Sequence, residues 1–241
     1  MKSEEYFSPD DWDRPGNIEV YVTTKKSFGK ECSSLSYIDG NNVIDVRNNR
    51  ESLLNKFLPC EVRWIKQVHG NKVINFDANN NSYVGDGALT YKKDLACCVL
   101  TADCMPIVVT SNNGSFVSVL HVGRKGLQLQ IIESLLKKIN NSKSIYIAWI
   151  GPSISEKYYI VDNFIRENFL NINTKYGQFF SSDGDNNYYM NLQDLAEYQL
   201  KNAGVDKVLK SGLCTYDRPD FFYSYRRTKT YERFGTFAWI K

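Results

Sequence analysis

Three side chains with metal-binding or nucleophilic chemistry lie where apolar, strand-like runs of the sequence end. Cys104 follows one such run, His121 lies near the end of the next, and His69 closes a third. His69 and His121 are the only two histidines among the 241 residues. Strand ends are places where reactive side chains from separate segments can meet, which leads to the hypothesis that Cys104, His69 and His121 share one site.

One interpretation of this set is a catalytic zinc site. Such sites commonly take three protein ligands from histidine, cysteine and carboxylate side chains and leave a fourth position for water or substrate. Two histidines and one cysteine satisfy that requirement. A bound water is then acidified toward neutrality and becomes a nucleophile.

The same residues allow a metal-free interpretation, in which Cys104 is a thiolate nucleophile and His121 is its general base. His69 or a carboxylate would then orient the base. The spacing of the three residues does not distinguish a metal ligand from a nucleophile, so both hypotheses stay open. In either case Cys104, His69 and His121 are the predicted catalytic residues.

Three further residues are predicted to bind substrate or phosphate. Asp103 is a carboxylate in an otherwise apolar stretch, so it must be paired or hydrogen-bonded. Arg124 lies in a glycine-flanked turn between a strand and a helix, where amides and basic side chains can hold an anion. Arg227 belongs to a basic cluster with aromatic neighbours, a combination that suits a phosphate, a carboxylate or a purine ring.

The elements that position these side chains follow from the periodicity of apolar residues. Strands are predicted at residues 18–23, 61–68, 72–76, 96–100, 107–110, 116–122, 144–150, 205–209 and 234–240. Helices are predicted at residues 51–57, 127–139, 161–170 and 192–203. Because Pro106 cannot donate to a sheet, a break or bulge is expected at residues 103–106.

Strands occur in hairpins, as at Asn112-Asn113-Gly114, as well as between helices. Mixed sheets covered by helices therefore fit the pattern better than a doubly wound fold does. With no internal repeat and no linker, residues 1–241 are predicted to form a single α+β domain. Residues 1–16 are polar and end at Pro15-Gly16, so they are expected to be a loose N-terminal arm or a short edge segment.

The composition argues against several classes of protein. A formal net charge of +3 is too small to favour nucleic acid as a partner. No run approaches the roughly 18 apolar residues of a membrane span. The first residues are acidic and polar, unlike a signal peptide. Six cysteines, two of them adjacent, are more typical here of reduced thiols than of disulfides. A cytoplasmic protein without membrane or nucleic-acid partners is expected.

A series of motifs, in order along the chain, resembles the YfiH family, whose other names are polyphenol oxidase (laccase-domain), purine nucleoside phosphorylase and peptidoglycan editing factor. The motifs are Gln67-Val68-His69-Gly70, Gly85-Asp86-Gly87-Ala88-Leu89-Thr90, Thr101-Ala102-Asp103-Cys104-Met105-Pro106, His121-Val122-Gly123-Arg124-Lys125-Gly126, Ile150-Gly151-Pro152-Ser153-Ile154, Ser211-Gly212-Leu213-Cys214-Thr215-Tyr216 and Phe222-Tyr223-Ser224-Tyr225-Arg226-Arg227. The resemblance spans residues 20–241.

The resemblance implies a single-domain α/β/β/α sandwich whose zinc ligands are His69, Cys104 and His121, with copper as an alternative occupant. It implies purine nucleoside and phosphate as partners, with phosphorolysis of adenosine, inosine, guanosine and methylthioadenosine, and also adenosine deamination. The fold of the family is similar to that of bacterial toxin deamidases with a Cys–His pair, so an amide hydrolase that edits peptidoglycan precursors is the alternative. A copper-dependent polyphenol oxidase is the least favoured function, because a multicopper centre needs many imidazoles.

The sequence departs from the family pattern around the predicted site. The tryptophan usual in the family is absent from His121-Val122-Gly123-Arg124-Lys125-Gly126, and Asp217 occupies the position of a usual cysteine. Residues 35–40 lack the usual Asn-Leu-Gly and a further histidine. The three predicted ligands are retained, so differences are expected in the substrate pocket.

Overall fold

The computed structural model describes residues 5–29, 33–37, 42–139 and 144–241. Its strands are β1 (Tyr6–Phe7), β2 (Ile18–Thr23), β3 (Glu61–Arg63), β4 (Val73–Asn75), β5 (Gly87–Thr90), β6 (Leu95–Thr101), β7 (Met105–Ser111), β8 (Val117–Val122), β9 (Tyr146–Ile150), β10 (Ile160–Asp162), β11 (Phe180–Ser182), β12 (Asn187–Met190), β13 (Val205–Lys210) and β14 (Phe234–Ile240). Its α-helices are α1 (Val43–Lys56), α2 (Arg124–Gln128), α3 (Ile131–Leu136), α4 (Asn163–Ile172), α5 (Leu192–Asn202) and α6 (Tyr225–Thr228).

Most strands belong to two mixed sheets. One has five strands in the order β1-β2-β14-β6-β3, and the other has six in the order β13-β9-β7-β8-β5-β4. In the first sheet β3 runs parallel to β6, and in the second β13 runs parallel to β9, whereas β7 and β8 form an antiparallel hairpin. The predicted hairpin at Asn112-Asn113-Gly114 is confirmed. A third, small sheet has the order β10-β12-β11.

The two large sheets pack face to face. Val20, Val99 and Ala238 of the five-stranded sheet share one buried cluster with Val108 and Val119 of the six-stranded sheet. Each fully buried aliphatic side chain of this size contributes about 1.5–3 kcal/mol relative to an exposed one. The contact between the sheets is therefore a central part of the hydrophobic core.

Helices cover the outer faces of both sheets. Leu53 of α1 packs with Phe237 and Trp239 on the five-stranded sheet. Buried residues of α2, α3 and α5 pack with Ile107 and Val109 on the six-stranded sheet. Successive residues of β7 therefore face a helix layer and the other sheet in turn, which explains why Ile107, Val108 and Val109 are all apolar. These four layers form an α/β/β/α sandwich, so the predicted α+β class is confirmed.

The chain changes sheets at the corner between β6 and β7. Asp103 lies in this corner with φ of +90°, a conformation uncommon for a residue with a side chain. Strand β7 then begins at Met105, with Pro106 as its second residue. The break expected at residues 103–106 is confirmed, and it places Cys104 where the two sheets meet.

Helix α1 starts at Val43, well before the predicted residues 51–57. Its buried side carries polar residues, which hid the helical period in the sequence. The Asn49 side-chain amide donates to the Ser34 carbonyl (3.0 Å), and the Arg50 guanidinium donates to the Leu35 carbonyl (2.9 and 2.7 Å). These polar residues thus hold the loop that precedes the helix.

Two other predictions differ from the structure. The helix predicted at residues 127–139 is two helices, because Gln130 adopts φ of +58° between α2 and α3. The strand predicted at residues 61–68 ends at Arg63. The polar residues 171–187 include a 3₁₀ turn, Thr174–Phe179, and strand β11, which pairs with β12.

The prediction for residues 192–203 is confirmed almost to the residue, since α5 spans Leu192–Asn202. Asn191 caps it by accepting from the Asp194 backbone N–H (3.0 Å), and Gly204 follows with φ of +96°.

The described part of the N-terminal segment is an edge segment and not a loose arm. Tyr6–Phe7 pairs with β2, and the side chains of Phe7 and Trp12 are buried. None of the helices in the described ranges combines the length and the apolar composition that crossing a membrane requires.

Candidate metal centre and its cavity

The structure brings His69, Cys104 and His121 together. Their candidate ligand atoms, one ring nitrogen from each histidine and the cysteine Sγ, all lie within 4.8 Å of one another. The two imidazole rings are 4.7 Å apart and nearly perpendicular, with an interplanar angle of 80°. Strand β8 supplies His121, the corner before β7 supplies Cys104, and the loop after β3 supplies His69. These residues could hold one metal ion.

The carboxylate of Asp86 organises this site, and sequence reasoning missed it. Asp86 is fully buried and Oδ1 lies 2.9 Å from Nδ1 of His121. The same carboxylate accepts from the backbone N–H groups of His69 (2.8 Å) and Gly70 (2.7 Å). In the sequence, Asp86 lies between two glycines within one of the family motifs, a pattern that predicts a turn and not a role in the site.

The contact with Asp86 determines how both histidines are presented. Because Nδ1 of His121 faces the carboxylate, Nε2 is the nitrogen left for a metal or a proton. Histidine ligands of metals usually make such a second contact to a carboxylate, which fixes ring orientation and raises ligand basicity. His69 has φ of +58°, and its backbone N–H is held by the same side chain. The donor set and its support therefore fit a bound metal ion.

The Cys104 thiol and the His121 imidazole change each other's pKa. Burial by itself raises the pKa of Cys104, but the neighbouring His121 and His69 outweigh it, and the net pKa is lowered. Burial likewise lowers the pKa of His121, but the Cys104 thiolate and the Asp86 carboxylate outweigh it, and the net pKa is raised. In the metal-free site, the favoured states are therefore a thiolate at Cys104 and an imidazolium at His121.

Alkylation of the metal-free protein tests this charge state. Because its pKa is lowered, Cys104 is expected to keep its reaction rate with iodoacetamide between pH 8 and pH 7. An ordinary thiol with a pKa of about 8.5 loses thiolate several-fold over that interval. Cys60 is the internal control, since burial raises the pKa of this half-buried thiol to about 11. Peptide mapping by mass spectrometry separates the two, and equal pH profiles would contradict the predicted pair.

Gly123 leaves the space that the Cys104 sulfur occupies. A Cβ at Gly123 would lie 2.6 Å from Sγ, closer than non-bonded atoms approach. Its φ of −96° suits any residue, so only the contact with sulfur opposes a side chain here. The glycine is thus required by the position of the thiol.

Replacing Gly123 by alanine is therefore expected to displace the Cys104 sulfur and weaken metal binding by about 10–100-fold, the usual effect of disturbing the support of a metal ligand. Gly126→Ala is the matched control, because a Cβ there meets its nearest neighbour, Ile131, at 3.5 Å, an ordinary contact. Titration with zinc against a competing chelator measures both variants. Equal zinc affinities of the two variants would show that the space at Gly123 does not determine the position of the Cys104 sulfur.

Asp103, predicted to bind substrate, uses both carboxylate oxygens within the protein. Oδ1 accepts from the Thr215 hydroxyl (2.7 Å), and Oδ2 accepts from the Arg226 backbone N–H (2.6 Å). It therefore ties the corner that carries Cys104 to helix α6.

Arg124 and Arg227 lie in different environments. Arg124 lines the cavity beside the three candidate ligands. Arg227 does not line this cavity, because its guanidinium donates to the carbonyls of Thr215, Tyr216 and Phe222 at 2.7–2.9 Å. Its neighbour Arg226 lines the cavity instead. Arg227 thus stabilises the C-terminal segment, and the structure does not bring it to the site.

The cavity in front of the three candidate ligands has a volume of about 1290 Å³. Its aromatic lining residues are Tyr37, Trp64, Tyr159 and Tyr225. Tyr159 lies under the guanidinium of Arg226, 4.8 Å from its ring centroid to Cζ. Burial raises the pKa of Tyr159, and the adjacent Arg124 opposes that change. Tyr37, Trp64 and Tyr159 did not stand out in the sequence, because they come from separate parts of the chain and have no common spacing.

The structure has known relatives with similar sequence and fold. A family model described as multi-copper polyphenol oxidoreductase laccase matches residues 27–241. A Haemophilus influenzae protein named purine nucleoside phosphorylase is 30% identical over 237 residues, which cover 95% of this chain and 97% of that protein. An Escherichia coli protein named purine nucleoside phosphorylase YfiH is 31% identical over 229 residues, covering 94% and 91% of the two chains.

Solved structures match the fold over nearly the whole chain. The crystal structure of Neisseria meningitidis protein NMB0706, described as family-model DUF152, matches with a TM-score of 0.91 at 26% identity and covers 98% of this chain and 99% of that one. Bacillus licheniformis hypothetical protein YfiH has the same fold, with a TM-score of 0.87 over 99% and 97% of the chains at 22% identity. By these matches, the chain belongs to the multi-copper polyphenol oxidoreductase laccase family, which includes the YfiH proteins.

Proposed function

We propose that this protein is a zinc-dependent purine nucleoside phosphorylase that acts on adenosine, inosine, guanosine and methylthioadenosine, and that it also deaminates adenosine. The observation that carries the proposal is the convergence of His69, Cys104 and His121 in the lining of a large cavity that also carries arginines and aromatic rings. The names of the relatives at 30–31% identity support the reaction class.

Zinc is proposed because two histidines and one cysteine, with one position open, form a common zinc donor set. A bound zinc ion would supply Lewis-acid polarisation or an activated water at this position. Imidazole and thiolate also suit copper, which is the alternative occupant. The chain has two histidines in all, and this number is too small for the imidazole-rich ligand set of a multicopper oxidase.

Arg124 and Arg226 are the proposed phosphate ligands. Both line the cavity, and both contact the same Tyr159 side chain. Guanidinium groups bind phosphate through paired, charge-assisted hydrogen bonds. The backbone N–H of Arg226 donates a hydrogen bond to Asp103, one residue before Cys104. This bond ties the proposed phosphate site to the proposed metal site.

The aromatic residues of the cavity are the proposed contacts of the purine ring, because aromatic and guanidinium planes stack on bases. In the reaction, a phosphate oxygen forms a bond to C1′ of the ribose while the bond from C1′ to the purine nitrogen breaks. The purine leaves with the electron pair and takes up a proton. Arg124 and Arg226 would orient the phosphate for this attack, and holding the two reactants together supplies much of the rate gain.

The test is product analysis with inosine and adenosine, each with and without inorganic phosphate. Phosphate-dependent formation of free base and ribose 1-phosphate is expected, and a chelator should stop the reaction until zinc is added back. Base release without any need for phosphate would mean hydrolysis and would overturn the proposal. Formation of inosine from adenosine, with ammonia, is the separate readout for deamination.

A second candidate is an amide hydrolase that acts on peptidoglycan precursors with Cys104 as nucleophile. The observation that favours it is the lowered pKa of Cys104 beside two imidazoles, since a thiolate next to an imidazolium is an activated nucleophile. Incubation of the zinc-free protein with muropeptide precursors tests it. Release of an amino acid that is blocked by alkylation of Cys104 would support this function, and no release would exclude it.

A further inference from the structure

The cavity carries far more positive than negative charge. Seven of its lining residues are lysine or arginine, and Asp103 is the single acidic one. A divalent ion bound to one thiolate would add a further net positive charge. Like charges gathered around one cavity repel each other and raise the local concentration of anions. The charge of the cavity therefore favours a strongly anionic ligand.

Within the described residues, no ion pair neutralises the cationic side chains of the cavity. The ion pairs of lysine and arginine in these ranges involve other residues. Asp103 uses its two oxygens for Thr215 and the backbone of Arg226. The positive charge is thus left for a ligand.

A neutral nucleoside and one inorganic phosphate would balance only part of the positive charge of the cavity. The phosphate dianion is matched by Arg124 and Arg226, and a nucleoside brings no charge. Five cationic side chains then remain: Arg50, Lys66, Lys125, Lys229 and Arg233. The volume of about 1290 Å³ also exceeds the roughly 300–1,000 Å³ typical of small-molecule pockets.

One of these remaining cations is held in a fixed position. The Arg50 guanidinium donates Nε and Nη2 to the Leu35 carbonyl at 2.9 and 2.7 Å. Its Cζ lies 3.6 Å from the Trp64 ring centroid and 4.3 Å from that of Tyr37. An arginine packed against two rings, whose Nη1 makes no hydrogen bond to the described residues, is preorganised to bind an anion. Lys66 lines the cavity two residues after Trp64.

From Arg50 and Lys66 we infer that the preferred substrate is a purine nucleoside that carries a 5′-phosphate. These two cations bind the 5′-phosphate, while Arg124 and Arg226 hold inorganic phosphate. The inference rests on the proposed phosphorolysis and specifies its substrate class. The reaction keeps the same balance: a phosphate oxygen bonds to C1′, the bond to the purine nitrogen breaks, and the purine leaves with the electron pair and is protonated. The second product is ribose 1,5-bisphosphate.

The experiment compares kcat/KM for inosine and inosine 5′-monophosphate with the zinc-loaded protein and saturating inorganic phosphate. The expected ratio favours the monophosphate by about tenfold or more, the effect of one charge-assisted contact. If inosine is turned over and the monophosphate is no better, the inference fails while the proposed phosphorylase stands. If neither releases base, the proposed function itself fails.

Variants of Lys66 test whether this residue binds the 5′-phosphate. Lys66→Met removes one charge at similar length and is expected to lower the monophosphate-to-inosine ratio about fivefold to tenfold. Lys92→Met is the matched control, an exposed lysine in the turn between β5 and β6 that does not line the cavity, and it should leave the ratio as it is. A Lys66→Met protein with an unchanged ratio would overturn the assignment. Thermal unfolding of both variants checks that each is folded.

Discussion

Cys104→Ala is expected to abolish stoichiometric zinc binding at neutral pH and to lower phosphorolysis by more than about 100-fold. Loss of a residue that only supports a metal ligand costs about 10–100-fold in affinity or activity, so loss of a ligand itself should exceed that. The side chain stands between His69 and His121, and the remaining two imidazoles make a weaker, incomplete donor set. Zinc content after dialysis and kcat/KM for inosine are the measurements.

The same variant separates a ligand from a nucleophile. If Cys104→Ala retains one zinc per chain and still loses activity, the thiol is a nucleophile and not a ligand. Cys60→Ala is the control, because Cys60 is half-buried like Cys104 but lies outside the cavity. It is expected to keep both zinc and activity, and unchanged zinc in the Cys104 variant would contradict the predicted role.

Asp86→Asn is expected to weaken zinc binding and activity by about 10–100-fold and to lower the free energy of unfolding by about 3–5 kcal/mol. The carboxylate accepts hydrogen bonds from the N–H groups of His69 and Gly70 and faces Nδ1 of His121. An asparagine presents an NH₂ group to one of these donors, so a buried donor is left unsatisfied. Urea denaturation and competitive zinc titration measure the two effects separately.

The dependence of this stability loss on pH follows from the pKa of Asp86. Burial raises that pKa, but His121 and the backbone N–H groups outweigh burial, and the net pKa is lowered. A lowered folded-state pKa means that the carboxylate stabilises the fold fully above the unfolded pKa of about 3.9. This contribution is lost as the pH falls further, through the folded-state pKa. The difference between wild type and Asp86→Asn should therefore shrink below about pH 4.

Asp77→Asn is the matched control for the stability measurement. Asp77 also accepts from one backbone N–H, that of Tyr91, and from the Thr90 hydroxyl, both at 2.7 Å. It does not line the cavity, so its loss should cost about 1 kcal/mol of stability and leave zinc affinity unchanged. Equal zinc affinities for the Asp86 and Asp77 variants would mean that Asp86 does not position the site.

Local patterns were informative where side chains follow one period. Helix α5 was predicted to within one residue of its observed bounds, because its apolar stripe lies within one continuous stretch of the chain. Strand β7 was predicted from a nearly continuous apolar run, and both of its faces are covered in the structure. Helix α1 was misplaced because Asn49 and Arg50 face inward and bind a loop, a role that no periodic pattern reports.

By itself, the sequence determined the four-layer class of fold, the break around Asp103, and the candidate set of His69, Cys104 and His121. Each depended on residue type and on neighbours in the chain, or on ordered family motifs. Only the tertiary structure decided that Asp86 holds His121, that Arg227 binds backbone carbonyls, and that Arg50 joins the cavity. These roles depend on contacts between residues far apart in sequence, and such contacts leave no spacing in the chain from which they could be inferred.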